Sequence, residues 1–270
     1  MTPDIENRMR QYLPLLFELL APHNLSAHQW KTINKRFSED FELLKKRVRE
    51  NGNQIVVEAS LYNVISGVIN GDQSAVTILD FINNIFARLN RDLNAEQKQK
   101  IRKIVFSLLI NFDHKYRNFV AELAVLSKML SENTRLVGIE IDKITGNTNA
   151  DFTVEIDGKK VLVEVVSIHF YKSMSDLGKF VNGKITKKIN EKTNGGSIYN
   201  QFYLVPVLWA FPKELYRFRL LYRSGKIKLP HNVFEPVAYF SFLESNGGGL
   251  VHKFESISTL FNGVNVTSLT

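Results

Sequence analysis

Two acidic residues at the ends of a predicted β-hairpin are the part of this sequence best suited to chemistry. The dipeptide Asp157-Gly158 is a strong signal for a two-residue hairpin loop. With this dipeptide as the loop, pairing counted outward places Asp151 directly opposite Glu164. Directly opposed residues have Cβ atoms about 4.5–5.5 Å apart. The sequence therefore predicts that two carboxylates meet.

The register predicted for this hairpin separates apolar from polar side chains. It sets Glu155 opposite Lys160, a favourable pair of opposite charges. It also gathers the apolar residues of both strands on one face: Phe152, Val154, Ile156, Val161, Val163 and Val165. A slip of one residue would move every side chain to the other face. The register is therefore well determined.

Two carboxylates in contact need a compensating group, because like charges directly opposed in a β-ladder are destabilising. A divalent cation is the natural candidate, since Mg²⁺ is typically held by one or two carboxylates together with substrate phosphate. The alternative is that Asp151 lies at a frayed strand end and bonds backbone amides. A third acid, Glu122, lies at the edge of the apolar stripe of a predicted helix over 116–131. Its partner is either the same cation or a basic residue from the second half of the chain.

The elements that must position these acids divide the chain into two parts. Residues 1–115 read as amphipathic helices, with Ile55-Val56-Val57 as the one tempting strand signal, and predict an all-helical domain of unknown role. From 116 to 270 the pattern changes to α/β. Helices are predicted over 116–131, 179–192 and 213–222, and strands over 136–141, 151–156, 161–169, 201–211, 236–243 and 249–254.

Positive charge is concentrated in one segment of the second part. The chain carries a formal charge of +8, and residues 172–228 hold 12 Lys and Arg against three Asp and Glu, so the rest is nearly neutral. Clustered positive charge is typical of surfaces that neutralise nucleic-acid phosphates. A solvated basic face that aids solubility is the alternative.

Composition excludes several classes of site. Without cysteine, the chain can form no disulfide framework, no thiolate zinc site and no cysteine nucleophile. We find neither a secretory signal nor a membrane span in the sequence, so a cytoplasmic location is expected.

The order of the acids resembles the PD-(D/E)XK nuclease superfamily. The resemblance spans about 115–215 and rests on Glu122 in a helix, then Asp151, a hairpin and Glu164, within the order helix, three strands, helix, strand. It implies a restriction-endonuclease-like α/β core with a mixed central sheet. It also implies that Asp151, Glu164, the main-chain carbonyl of Val165 and Glu122 bind Mg²⁺ or Mn²⁺.

The sequence departs from this family where a lysine should follow the second strand acid, because Val166 stands there. In the family this lysine helps to position or activate the attacking water. Either a lysine of the next helix, Lys184 or Lys188, takes over this role here, or catalysis is lost and the fold survives as a binding module. Lys184, Lys188 and Lys192 are spaced four residues apart and therefore lie on one stripe of that helix.

These observations predict a metal-dependent nuclease that hydrolyses nucleic-acid phosphodiesters. The alternatives are an inactive nuclease-like protein that binds nucleic acid, and a protein-interaction or assembly factor. The partner is expected to be nucleic acid, with DNA favoured. The sequence leaves open whether the chain forms a homodimer. The residues expected to contact backbone phosphates are Lys187, Lys192, Arg217, Arg219 and Arg223.

Overall fold

The computed structural model describes residues 4–22, 24–50, 60–112, 115–131, 133–146, 148–170, 176–193, 201–243 and 250–264. The chain divides into two compact units, Met1–Leu123 and Ala124–Thr270. The predicted domain boundary at 115/116 lies earlier than this division. In its described residues the first part of the chain is helical and the second contains a six-stranded mixed sheet, which confirms the predicted α/β class.

The first unit is built from amphipathic helices with identifiable starts. Ser60 and Asp72 cap two of them through their side chains, and Asn94 with Gln97 forms a capping box on a third. Ile55-Val56-Val57 lies outside the described residues. The helices are α1 (Ile5–Tyr12), α2 (Pro14–Leu20), α3 (Ala27–Glu50), α4 (Leu61–Ile69), α5 (Gln73–Asp92) and α6 (Ala95–Ile110).

The second unit follows the predicted order of helices and strands. Helix α7 (Tyr116–Met129) crosses the division between the units. The remaining elements are β1 (Thr134–Ile139), β2 (Phe152–Ile156), β3 (Lys159–His169), α8 (Leu177–Thr193), β4 (Gln201–Trp209), α9 (Pro212–Arg223), β5 (Val237–Leu243) and β6 (Leu250–Ser256).

The six strands lie side by side in chain order. β1, β2 and β3 form an antiparallel meander, β3 to β4 and β4 to β5 are parallel, and β5 and β6 form an antiparallel hairpin. A parallel pair needs a crossover connection, and α8 supplies it between β3 and β4. The helix therefore packs against the strand that carries Glu164.

The predicted hairpin register is confirmed. Phe152 pairs with Val163, and Glu155 pairs with Lys160. Asp157 and Gly158 form the loop with φ of 48° and 77°, the left-handed conformation that a two-residue hairpin turn of this kind requires. Both faces of the hairpin are covered, because Leu162 and Glu164 are as deeply buried as the apolar face opposite them.

Candidate active site

Glu164 is a fully buried carboxylate, with 0% of its surface exposed. On β3 it lies on the same face as Leu162, which belongs to the core formed with Val181 and Ile185 of α8. An isolated charge in such surroundings is strongly unfavourable unless it is paired. Its partners therefore decide what the site can do.

Two lysines of α8 neutralise Glu164. The Nζ atom of Lys188 lies 2.8 Å from Oε1, and the Nζ atom of Lys192 lies 2.8 Å from Oε2. The two lysines are four residues apart and so share one side of the helix. Each oxygen of the buried carboxylate therefore lies opposite one positive charge.

Asp151 lies one residue before β2, beside Glu164. Its Oδ2 atom accepts a hydrogen bond of 2.7 Å from the backbone N–H of Val165. Burial, and then the charge of Glu164, raise the pKa of Asp151 to about 7, although this N–H bond and the ammonium groups of Lys192 and Lys188 oppose the rise. The structure thus brings the two acids together and also forms the backbone bond of the alternative interpretation.

Lys188 has electrostatic surroundings that favour its charged form. Burial lowers its pKa, but the charge of Glu164 and the contact with its carboxylate outweigh this, so the pKa is raised overall. An ammonium donor is therefore fixed beside the two acids at neutral pH. Of the two lysines predicted to replace the motif lysine, Lys188 reaches the acid pair.

Lys184 does not reach the acid pair, which corrects its predicted catalytic role. It is exposed, and its Nζ atom lies 5.6 Å from the centre of the Phe180 ring, one turn earlier in the helix. Lys187 is also exposed and lies 3.8 Å from Glu191.

Lys192 was expected to contact phosphates, and the structure corrects this. Besides Glu164, its Nζ atom donates a hydrogen bond of 2.8 Å to the main-chain carbonyl of Asn149. Its own main-chain carbonyl accepts a bond of 2.6 Å from the hydroxyl of Thr148. The loop between β1 and β2 thus holds the end of α8, and Lys192 belongs to the acid cluster.

These contacts were not predicted, although the sequence contains a signal for them. Val181 and Ile185 form the buried stripe of α8, and Lys188 and Lys192 continue that stripe at the same helical spacing. Lysines in core-facing positions require buried anionic partners. Applied to 177–193, this rule would have selected Lys188 and Lys192 over Lys184.

Arg219 is another correction, because it is unavailable to nucleic acid. It is only 9% exposed, donates a hydrogen bond of 3.0 Å to the side chain of Asn262, and lies over the ring of Phe261. Of the other predicted phosphate contacts on α9, Arg217 is half-buried and lies 3.8 Å from Glu214, and Arg223 is exposed.

The outer sides of α8 and α9 carry the exposed basic residues. Both helices bury their inner sides in one core over the sheet. We call the exposed set the basic surface: Lys179, Lys184, Lys187, Lys213 and Arg223. A shallow groove follows α8 beside it, lined by Lys179, Asn182, Gly183, Thr186, Lys187, Asn190 and Glu191.

The donor atoms of the acid pair are chemically suited to a hard cation. The Asp151 and Glu164 carboxylates offer oxygen, and Mg²⁺ commonly uses one or two carboxylates and substrate phosphate. In the part of the chain that the structure describes, no group of three or more His, Asp or Glu is placed to hold a metal ion. Glu122, half-buried on α7, belongs to the first unit, and its predicted role stays a prediction, as does that of the Val165 carbonyl.

No protein-family model matches this sequence, and no curated protein matches it. Among solved structures, Pyrococcus furiosus SfsA in complex with Ca²⁺ is distantly similar, with 15% identity and a TM-score of 0.25. The similarity covers 54% of this chain and 65% of the SfsA chain. A TM-score of this size supports no conclusion on fold or function. No helix in the described ranges is both long and apolar enough to cross a membrane.

Proposed function

We propose that the second unit is a nuclease of the PD-(D/E)XK type that hydrolyses phosphodiester bonds of nucleic acid at Asp151 and Glu164. The observation that carries this proposal is the position of Lys188, whose ammonium lies 2.8 Å from Glu164. It supplies, from α8, the positive group that Val166 cannot supply from β3. Two acids and a lysine then share one site, as the reaction requires.

Substrate would approach along the basic surface. Exposed lysines and arginines on adjacent helices attract the phosphate backbone without selecting a base sequence. Lys188 contacts the buried Glu164 and also reaches solvent beside this surface, because its side chain is 29% exposed while Glu164 is fully buried. A phosphate held by the basic surface could therefore accept hydrogen bonds from Lys188.

In the proposed reaction, the oxygen of a water molecule forms a bond to phosphorus and one ester P–O bond breaks. The water loses one proton to solvent, and the leaving oxygen takes one up, so the products are a phosphomonoester and a hydroxyl. Lys188 donates hydrogen bonds to the phosphate oxygens and offsets the charge that develops on them. Asp151 and Glu164 accept hydrogen bonds from the water and orient it.

Asp151 and Glu164 would also hold a divalent cation, proposed to be Mg²⁺ or Mn²⁺. Such an ion lowers the pKa of bound water and stabilises charge on the phosphate. A cation at Glu164 must displace at least one of the two ammonium groups that contact it. Asp151, with its pKa raised to about 7, must lose its proton as well.

The test is cleavage of labelled single- and double-stranded DNA and RNA by the full chain in Mg²⁺ and then Mn²⁺. We expect metal-dependent products, lost in Asp151→Asn and Glu164→Gln and reduced about 100-fold in kcat in Lys188→Met. Lys184→Met, one turn away on the same helix, should keep most of the cleavage. Lys159→Met, at the hairpin, is the unchanged control.

Cleavage that persists in Asp151→Asn and Glu164→Gln would exclude this site as the source of activity. A second candidate is a nuclease-like protein that binds nucleic acid without cutting it. It is favoured by Val166 and by the two ammonium groups already opposite Glu164. Salt-sensitive binding without metal-dependent products would select this candidate.

A further inference from the structure

Lys192 is held more firmly than Lys188. Its ammonium bridges Glu164 and the carbonyl of Asn149, each at 2.8 Å. Its side chain is 19% exposed, against 29% for Lys188. An ammonium tied to two elements loses more contacts when it leaves, so Lys192 is the harder of the two to displace.

The backbone around Lys192 is fixed as well. The hydroxyl of Thr148 donates to the main-chain carbonyl of Lys192, and the same hydroxyl lies 2.9 Å from that of Thr145. Thr193 in turn donates to the carbonyl of Ile189 in the last turn of α8. The position of Lys192 is therefore determined by the loop between β1 and β2 and not by the helix alone.

We propose that Lys192 is the resident counter-cation of Glu164 and that it sets how strongly the acid pair binds a divalent cation. This rests on the proposed function, because it concerns the same site. Lys192 occupies one oxygen of Glu164 and stays in place. Lys188, with fewer contacts, is the lysine that turns towards incoming phosphate.

The charges of the site support these different roles of Lys192 and Lys188. Once Asp151 has lost its proton, two carboxylates and two ammonium groups are balanced without any added ion. When Lys188 turns away, Lys192 leaves the acid pair with one net negative charge, and this charge attracts a divalent cation moderately. Without Lys192 the same acids would present two negative charges to the ion. Lys192 therefore weakens cation binding and limits it to conditions in which substrate phosphate adds to the attraction.

The experiment is titration of the full chain with Mn²⁺ in the absence of nucleic acid, following free Mn²⁺ by electron paramagnetic resonance. Because one positive charge beside the ion is removed, we expect Lys192→Met to bind Mn²⁺ more tightly than the wild type, by about tenfold or more. Lys192→Arg keeps the charge and should stay within about twofold of the wild type. Lys159→Met, exposed at the hairpin turn, should also stay there.

Lys192→Gln is the second variant, because it retains a polar group that reaches towards Asn149 if Lys192→Met unfolds. Affinities of the Met and Gln variants within twofold of the wild type would overturn the inference, and so would absence of Mn²⁺ binding in every protein. Cleavage assays separate the two proposals. Tighter Mn²⁺ binding without cleavage by the wild type removes the nuclease and leaves the role of Lys192.

Discussion

Asp151 holds a proton in the folded protein at pH values where an ordinary aspartate has lost it. Its pKa rises from 3.8 to about 7, first because of burial and then because Glu164 is beside it. Between these two values the native state binds a proton that the unfolded state does not. This group therefore contributes stability at acidic pH that is lost as the pH rises to about 7.

Replacement of Asp151 by Asn should remove this dependence. Asn is neutral at every pH, and its side-chain oxygen can still accept the N–H of Val165. We expect the free energy of unfolding of the wild type, measured in urea, to fall between pH 5 and about pH 7, and that of Asp151→Asn to fall less. Parallel pH profiles of the two proteins would contradict the raised pKa.

Substitutions at Glu164 test whether its buried charge and those of its lysine partners stabilise the fold together. Glu164→Gln leaves two partly buried ammonium groups without their anion, and we expect it to lower the free energy of unfolding by about 3–5 kcal/mol. The triple variant Glu164→Leu, Lys188→Met, Lys192→Met removes Glu164 together with both ammonium groups and should recover most of this loss. Equilibrium urea denaturation measures both. Equal losses in the single and triple variants would show that the ion pairs are not coupled.

Two glycines, one in the β2–β3 turn and one in α8, allow a matched pair of substitutions that tests the backbone of these elements. Gly158 has φ of +77° and Gly183 lies within α8, and at neither position would an added Cβ meet another atom within 4 Å. Gly158→Ala should therefore destabilise the protein by about 1 kcal/mol through its backbone alone. Gly183→Ala should stabilise it by about 0.5–1 kcal/mol. Thermal unfolding with the same sign for both would contradict this difference.

The β2–β3 hairpin was predictable because its information is local. The turn dipeptide fixes the pairing, and the alternation of apolar residues from Phe152 to Val165 supports it within fourteen residues of chain. The predicted end of β1, at Ile141, lies two residues beyond the observed end at Ile139. Its strand pattern continues to Ile141, but Glu140 adopts φ of +49°, so the strand stops at Ile139 and Ile141 is exposed.

The partners of the acid pair were only half predictable, because they depend on how α8 lies on the sheet. Spacing places Lys184, Lys188 and Lys192 on one stripe, but only packing decides which of them face inward. Arg219 illustrates the same limit. It lies on the stripe of Leu215 and Phe218, and this position, not its charge, determines its burial.

At the scale of the whole molecule, binding to nucleic acid should depend on the basic surface and on salt. Lys179→Ala combined with Lys187→Ala should weaken binding to all sequences alike, and should make the dependence of log K on log salt shallower by about two. Arg219→Ala should leave this slope unchanged, because its side chain is buried against Asn262. Fluorescence anisotropy over a range of salt measures the slope. An unchanged slope in the double variant would exclude this surface.

The strand order of the sheet also bears on how the protein is made. Because each strand lies next to its neighbours in sequence, a chain leaving the ribosome can add one strand after another. The β2–β3 hairpin then brings Asp151 and Glu164 together before α8 has emerged to shield them. A nascent chain would pass through that stage with two carboxylates opposed and no lysine of α8 beside them.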